Sequence, residues 1–477
     1  MPTNDSFTKI IATIGPASES EKTLEQLLLA GVDVFRLNMK HNTHEWYANT
    51  IKKIRKISEN HGVNTAIMAD FQGPELRTGI FPNGIEKIVL KSGQTVVLSK
   101  TPKDKKHIFI PFDFVHSIKG LQPKHKIYLD DGRVELEVEK VTQASIYAKV
   151  LFGNALGLRK SVSIPQANIL MPTLTEKDKK DLKFSVEHNV DFVALSFVRD
   201  RQDIATLKKK IKSLGGHQHI VAKIETLKAI ENFDEILDET DVIMVARGDL
   251  GVEVSMERLP RIQKHMIERC REEAKPVIVA TQMLKSMVSS YMPTRAEVAD
   301  IANAVFDKTD ALMLSEETAT GKYPVRAVST MSKIARFNEQ QQFAQDIVKL
   351  PESFEEIIIT ASIEFVNKQP SNEKEVQGYI VFTESGMSAR ILSRFRPPIP
   401  VFAFTEHSTV ARQLAMSYGV QAFRMKLSSN PNTNTKNAID FLKRKHLVLK
   451  GEKIIAIFGN NVGTIGANNN LSIVDVV

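Results

Sequence analysis

Cysteine is almost missing from this chain, with Cys270 the only one. No disulfide can form within the chain, and a lone cysteine in a helical pattern reads as a small apolar packing residue in a reducing compartment. Long apolar runs are missing too. No stretch approaches the roughly 18 residues of a membrane span, and the opening MPTNDSFTK has no apolar signal core, so the sequence reads as cytoplasmic. Charge of one sign is in modest excess. The net charge of +8 admits nucleic acid, but basic groups such as LKKKIK and KDKK lack interleaved aromatics and read as solvated surface. Small anionic substrates explain the balance at least as well, so neither a nucleic acid nor a membrane is an expected partner.

What is present is an ordinary folded composition, 42% hydrophobic and 25% charged, over 477 residues, enough for two or three domains with sizeable cores. Short β-branched runs alternate with amphipathic helical stretches. The runs cover 9–14, 32–38, 65–71, 191–198, 219–225, 241–248, 276–282 and 310–317. The helical patterns cover 20–30, 43–60, 175–189, 200–213, 231–239, 256–274, 294–308 and 324–342. Eight such units with near-continuous apolar strands predict a closed parallel (β/α)8 TIM barrel. The alternation breaks after the third strand, where 75–164 carry short alternating segments with Gly and Pro punctuation, the pattern of a small inserted β-barrel domain. The barrel is thus expected from 1–74 and 165–345. A C-terminal α/β domain is expected over 346–477, with NEQQQFAQDIVKLPES as the linker.

In such a barrel chemistry gathers at the C-terminal strand ends. Here those ends supply Arg36, Asn38 and Lys40, then Asp70, Ser196, Arg199, Lys223, Glu225, Arg247, Asp249, Thr281, Gln282, Ser315, Glu316 and Glu317. Glu225 and Asp249, from neighbouring strands, suit a small hard cation such as Mg²⁺ or Mn²⁺. Lys223 beside them can neutralise charge on a phosphoryl group in flight. Free backbone N–H groups at Ala246, Arg247 and Gly248, with the Thr281 hydroxyl, can hold a carboxylate or phosphate.

The same residues carry a resemblance to the pyruvate kinase family, through KIIATIGPAS, RLN, DFQGPELRTG, DFVALSFVR, AKIE, IMVARGDLGVE, KPVIVATQML, PTRAEVADIANAV and MLSEETATGKYP, and more loosely through TESGMSA and GNNVGTIGANN. The resemblance implies phosphoryl transfer from phosphoenolpyruvate to ADP, giving ATP and pyruvate, under a lid formed by the inserted domain, in a homotetramer. It implies Mg²⁺ on Glu225 and Asp249. Lys223 and Arg36 would act on the phosphoryl group, and the Ala246–Gly248 backbone with Asp249 and Thr281 would act around the substrate carboxylate. Thr281, or a water chain near Ser315, would deliver the final proton. His41, Arg77 and Lys160 match nucleotide contacts, and the matches of Asn38, Asp70 and the Phe71 carbonyl bind K⁺.

Three positions depart from the family pattern. Glu316 replaces a glycine, Gln72 stands where many members have lysine, and Lys40 replaces a serine whose hydroxyl ligates K⁺. An ammonium cannot ligate a cation but can stand in for one. Lys40 is therefore expected to fill the pocket, donating to Asn38 and Asp70 and removing the K⁺ requirement. Glu75 signals the opposite, since K⁺-requiring members keep glutamate there. In the C-terminal domain, Thr383, Ser385, Gly386 and Ser388 mark a phosphate-sized nest for a sugar-monophosphate effector, with Glu384 repelling a second phosphate. Two other readings keep the same residues: a Mg²⁺-dependent lyase forming pyruvate enolate, and a catalytically silent metabolite sensor.

Overall fold

The computed structural model describes residues 6–103, 106–340, 351–368, 375–459 and 468–477. Eight parallel strands close into a barrel: β1 Lys9–Ile14, β2 Val34–Asn38, β3 Ala66–Asp70, β4 Phe192–Leu195, β5 His219–Ile224, β6 Val242–Ala246, β7 Val277–Ala280 and β8 Ala311–Leu314. They run in chain order around the ring, and β1 pairs β8 to close it, Lys9 opposite Ala311. Side chains alternate across each strand. One set, including Ile11, Val34, Met68, Ala194, Val221, Met244, Ile278 and Met313, packs together as the barrel interior. The other set, including Phe35, Ile67, Leu195, Ile224, Val245 and Leu312, joins the surrounding helices in a larger core. Cys270 is fully buried in that larger core.

Several strands end earlier than their apolar runs. β6 stops at Ala246 and passes directly into the helix Arg247–Glu253, and β8 stops at Leu314. Polar strand-end residues prefer the solvated mouth to ladder positions, so the apolar run overstates the strand. The helix expected over 231–239 is two helices, Leu227–Glu231 and Phe233–Glu239, meeting at Asn232.

Between β3 and the helix Glu176–Glu187 lies the insertion. Its hydrogen bonding is divided among a six-stranded sheet and two two-stranded sheets, where the pattern predicts one small barrel. It has its own apolar core, including Val96, Ile110, Leu136, Ile146 and Val150.

The C-terminal α/β domain holds β9 Val376–Phe382, β10 Val401–Thr405, β11 Val420–Arg424, β12 Lys453–Gly459 and β13 Asn468–Asp475, in the order β11-β10-β9-β12-β13 with β13 antiparallel. It sits against the N-terminal end of the barrel. Lys9 Nζ at the start of β1 donates to the Val420 carbonyl at 2.9 Å, and the Tyr418 N–H donates to Asp310 just before β8 at 3.1 Å. Met416 packs with the barrel-interior cluster. Most of the expected linker, 341–350, and of GNNVGTIGANN, 460–467, lies outside the described residues.

Candidate active site

The barrel-interior alternation continues one step beyond its apolar layers and there turns polar. Above Ile11 stands Thr13, above Val34 stand Arg36 and Asn38, above Met68 Asp70, above Ala194 Ser196, and above Val221 Lys223 and Glu225. Register brings Asn38 opposite Asp70, and Asp70 opposite Ala194.

Asp70, 2% exposed, is the hub. Arg36 reaches it through Nε at 2.7 Å and a terminal nitrogen at 2.6 Å, and its other terminal nitrogen donates to Thr13 Oγ1 at 2.8 Å. Lys223 Nζ lies 3.4 Å from Asp70 and 2.8 Å from Glu225, and donates to Ser196 Oγ at 2.7 Å. Ser196 in turn donates to the Phe71 carbonyl at 2.8 Å. Burial alone would raise the Asp70 carboxyl, but Lys223 and Arg36 outweigh it and hold the group below its usual value. Burial likewise opposes charge on Lys223, and Asp70 with Glu225 overrules it, so the ammonium is raised and stays protonated.

Glu225 goes the other way. Burial, reinforced by Asp249, pushes its carboxyl up to about 7 despite Lys223 and the Phe197 N–H, which donates to it at 2.8 Å. Asp249 opens on the mouth, yet the protein packed around it strips enough solvation to raise it, with Asp131, Glu75 and Asp70 adding repulsion. Two carboxyl groups raised by burial, lining one cleft, would each be favoured in the ionised form by an added cation. Among the described residues no group of three or more His, Cys, Asp or Glu side chains is arranged to hold a metal alone. Two carboxylate oxygens with the remaining positions left to water and substrate suit Mg²⁺ or Mn²⁺, which keep several such ligands. The donor set therefore fits the ion.

Thr281 and Gln282 follow β7 with φ of 72° and 58°, and Phe197 follows β4 with φ of 56°. Left-handed backbone is costly for a β-branched residue and persists only where the surroundings enforce it. For Thr281 the enforcing group is Arg247, which donates to the Thr281 carbonyl at 2.8 Å and to Asp300 at 2.7 Å. The Arg247 side chain thus braces the loop instead of facing the strand-end cluster. Thr281 Oγ1 accepts the Gly248 N–H at 2.8 Å, so one of the expected anion-binding amides is already engaged. Ser315 is held through its N–H by Glu317, 2.7 Å away, and Glu317 also accepts from Leu284 at 3.1 Å. Glu316 is turned outward onto Lys285, both more than half exposed, so the departure there leaves the mouth unaltered.

Lys40 corrects an expectation. β2 ends at Asn38 and Lys40 lies in the following turn, where its backbone N–H, at 3.2 Å, is what meets Asn38. Its ammonium pairs with Glu75 at 2.9 Å, not with Asn38 or Asp70; Asp70 has Arg36 and Lys223 as its cations. Glu75 also holds Arg77, and the two cations keep its carboxyl low against the opposing effect of burial. Arg77 donates to the Arg159 carbonyl at 2.5 Å and Lys160 pairs with Asp130 at 2.8 Å. His41 is exposed; desolvation and the cations Lys40, Arg36, Arg77 and Lys177 lower its imidazole, leaving a neutral ring in a positive field that attracts polyanions.

The C-terminal loop is held by hydrogen bonds of its own. The Thr383 hydroxyl accepts the Gly386 N–H at 2.9 Å, and Ser388 is buried between Glu355 and Asn468, whose amide is 2.7 Å away. Both hydroxyls are engaged internally. Ser385 Oγ accepts the Met387 N–H at 3.4 Å, and Gly386, at φ 84°, opens the helix Met387–Arg394. Glu384 pairs with His407.

Sequence reasoning missed Thr13, Phe197 and Asp131. Alternation from Ile11 could have found Thr13; Phe197 acts through its N–H and leaves no side-chain signal.

The pyruvate kinase barrel-domain family matches residues 6–328, and the pyruvate kinase alpha/beta-domain family matches 368–474. The chain is 39% identical to pyruvate kinase of Geobacillus stearothermophilus over 470 residues, covering 97% of this chain and 79% of that one. It is 38% identical to pyruvate kinase of Methylorubrum extorquens over 464 residues, covering 97% and 96%. With pyruvate kinase of Thermococcus litoralis the figures are 37% over 466 residues, 97% of each chain. Family matches of this extent, on a closed barrel whose mouth carries buried Asp70 and Glu225 around a partly buried Lys223, establish that the chain belongs to the pyruvate kinase family of phosphotransferases.

Proposed function

We propose that this enzyme transfers the phosphoryl group of phosphoenolpyruvate to ADP at the barrel mouth, the last step of glycolysis. The observation that carries the reading is the Lys223 ammonium, fixed between Asp70 and Glu225 and kept charged by both. A partly buried cation held in place by its partners stabilises charge that develops on a moving phosphoryl group and on the enolate it leaves behind, with little reorganisation. Arg36, held by Asp70 and Thr13, presents its remaining donor capacity to the phosphoryl oxygens. Glu225 and Asp249 would hold Mg²⁺ or Mn²⁺, which supplies charge neutralisation between substrate carboxylate and phosphate. The Ala246–Gly248 backbone and Thr281 would receive the carboxylate, with the Gly248–Thr281 hydrogen bond exchanged for it. Thr281, or water near Ser315, protonates the enolate. His41, Arg77 and Lys160 would meet the nucleotide, and the insertion would close over it as a lid spanning 75–164.

The same proposal includes independence from K⁺. Its support is the Lys40 ammonium, 2.9 Å from Glu75, standing where the family resemblance places a K⁺-ligating hydroxyl. It also includes cytoplasmic location, assembly as a homotetramer, and a sugar-monophosphate effector at Thr383, Ser385, Gly386 and Ser388, the last resting on the resemblance and on Gly386 at the helix start.

A coupled assay tests the core. Pyruvate and ATP should form in equal amounts only when phosphoenolpyruvate, ADP and Mg²⁺ are all present. Pyruvate without ADP would instead mean a lyase, and no turnover a sensor. Run with tetramethylammonium as the only monovalent cation, activity should be within about twofold of that with K⁺; strong K⁺ activation would remove Lys40 from the role.

A further inference from the structure

The short helix Arg247–Glu253 lies between the site and the insertion, and both of its ends are tied. At its start Gly248 bonds to Thr281, and Asp249 lines the mouth. Its far end meets the insertion twice. The Ser163 hydroxyl donates to Glu253, and a side chain at Gly132, in the turn next to Asp131, would touch both Val252 methyl groups at 3.8 Å. Glu253 also accepts the Leu227 N–H at 3.2 Å, two residues past Glu225. One carboxylate therefore touches the insertion, the strand end that carries Glu225, and the helix that carries Asp249 one turn earlier.

Three features set Glu253 apart from an ordinary surface acid. It is partly buried, and among the described residues no ion pair with it is found. Its contacts are a hydroxyl from the insertion and an amide from the barrel. It lines the deep cleft between the two bodies, along with Ser163, Phe197, Glu225 and Asp249. A group that makes only such contacts, at a boundary between two separately cored bodies, holds their relative position.

We propose that Glu253 is a positioning residue that couples occupation of the site to placement of the insertion through its hydrogen bond with Ser163. Ligands drawn to Gly248 and Asp249 bear on one end of a two-turn helix, and a helix this short moves as a unit. Its other end carries the contact that sets the insertion. The inference rests on the proposed reading of the insertion as a lid over the nucleotide.

The test compares the unmodified chain with Glu253→Leu, Ser163→Ala and the double variant. In each, steady-state kinetics are measured alongside amide hydrogen exchange of 161–164 and of the strand Val134–Val141. Each single variant is expected to lower kcat about tenfold while shifting the KM for phosphoenolpyruvate less than twofold. The double variant should be no worse than the weaker single one, because both break one contact. Phosphoenolpyruvate with Mg²⁺ should slow exchange at 161–164 in the unmodified chain and not in the variants, with barrel strands unchanged. Independent, multiplying effects of the two substitutions, or ligand-induced protection that survives in both, would overturn the proposal. If the unmodified chain shows no ADP-dependent turnover, the proposed function fails; if it turns over and the variants match it, only the coupling fails.

Discussion

At the scale of single residues, the site is a contest between burial and pairing, and the outcome differs by residue. Asp70 has two cations and stays ionised; Glu225 shares one cation with it, faces Asp249, and is raised to about 7. A carboxyl raised in the folded state binds a proton that the unfolded chain has lost. Between its ordinary value of 4.5 and about 7, stability must therefore fall as pH rises. Asp249 acts in the same direction, whereas Asp70 and Glu75, both lowered, contribute stability that is lost only as pH falls below the ordinary carboxyl range. Without divalent cations, the unmodified chain should lose on the order of 2 kcal/mol relative to Glu225→Gln between about pH 5 and pH 8. Added Mg²⁺ should raise the thermal midpoint of the unmodified chain more at the higher pH and do little for the variant. Parallel stability profiles for the two proteins would mean that Glu225 titrates normally.

At the scale of elements, strands aim side chains but loops hold the strained ones. Thr281 sits in left-handed backbone because Arg247 grips its carbonyl, with Asp300 steadying the guanidinium. Arg247→Met should release that grip while keeping much of the apolar stem. The expected result is a fall in kcat of about tenfold or more, since misplacing a group that acts on the reacting centre costs on this order. Stability should drop by about 1–3 kcal/mol from the lost charged hydrogen bonds. Near-normal kcat, measured in the coupled assay at saturating substrates, would show that the loop keeps its shape without the arginine. Gly248 belongs to the same arrangement, for a Cβ there would lie 3.3 Å from Thr281 Oγ1.

At the scale of the whole molecule, the C-terminal domain is fastened to the inactive end of the barrel by buried charge. Asp191, fully buried at the foot of β4, accepts from Arg412 at 2.6 Å, from Arg55 at 2.8 Å and from the Ile67 N–H at 2.8 Å. Asp310, at the foot of β8, accepts from Arg396 at 2.7 Å. Removing one member of such a cluster leaves the others desolvated and unpaired, at a cost of about 3–5 kcal/mol. Asp191→Ala should lower the calorimetric transition by roughly 5 °C or more. An unchanged transition would mean that water replaces the carboxylate.

How far the sequence reaches depends on the range of the interaction. Alternation and 3.6-residue periodicity are local properties, so the eight barrel strands, most of their helices and the C-terminal strands could be read directly; the early strand ends at Ala246 and Leu314, the helix break at Asn232 and the division of the insertion into three sheets could not. Parallel closure then brings every strand end to one mouth, which is why Arg36, Asp70, Lys223, Glu225 and Asp249 could be nominated together. Partner choice is not local. Asp70 takes Arg36 and Lys223, which leaves Lys40 to Glu75; Arg247 turns to Thr281; Ser388 turns to Glu355 and Asn468. Each carboxylate and hydroxyl has few acceptor positions, and which donor fills them is decided by distance across the fold, information that spacing along a chain does not contain.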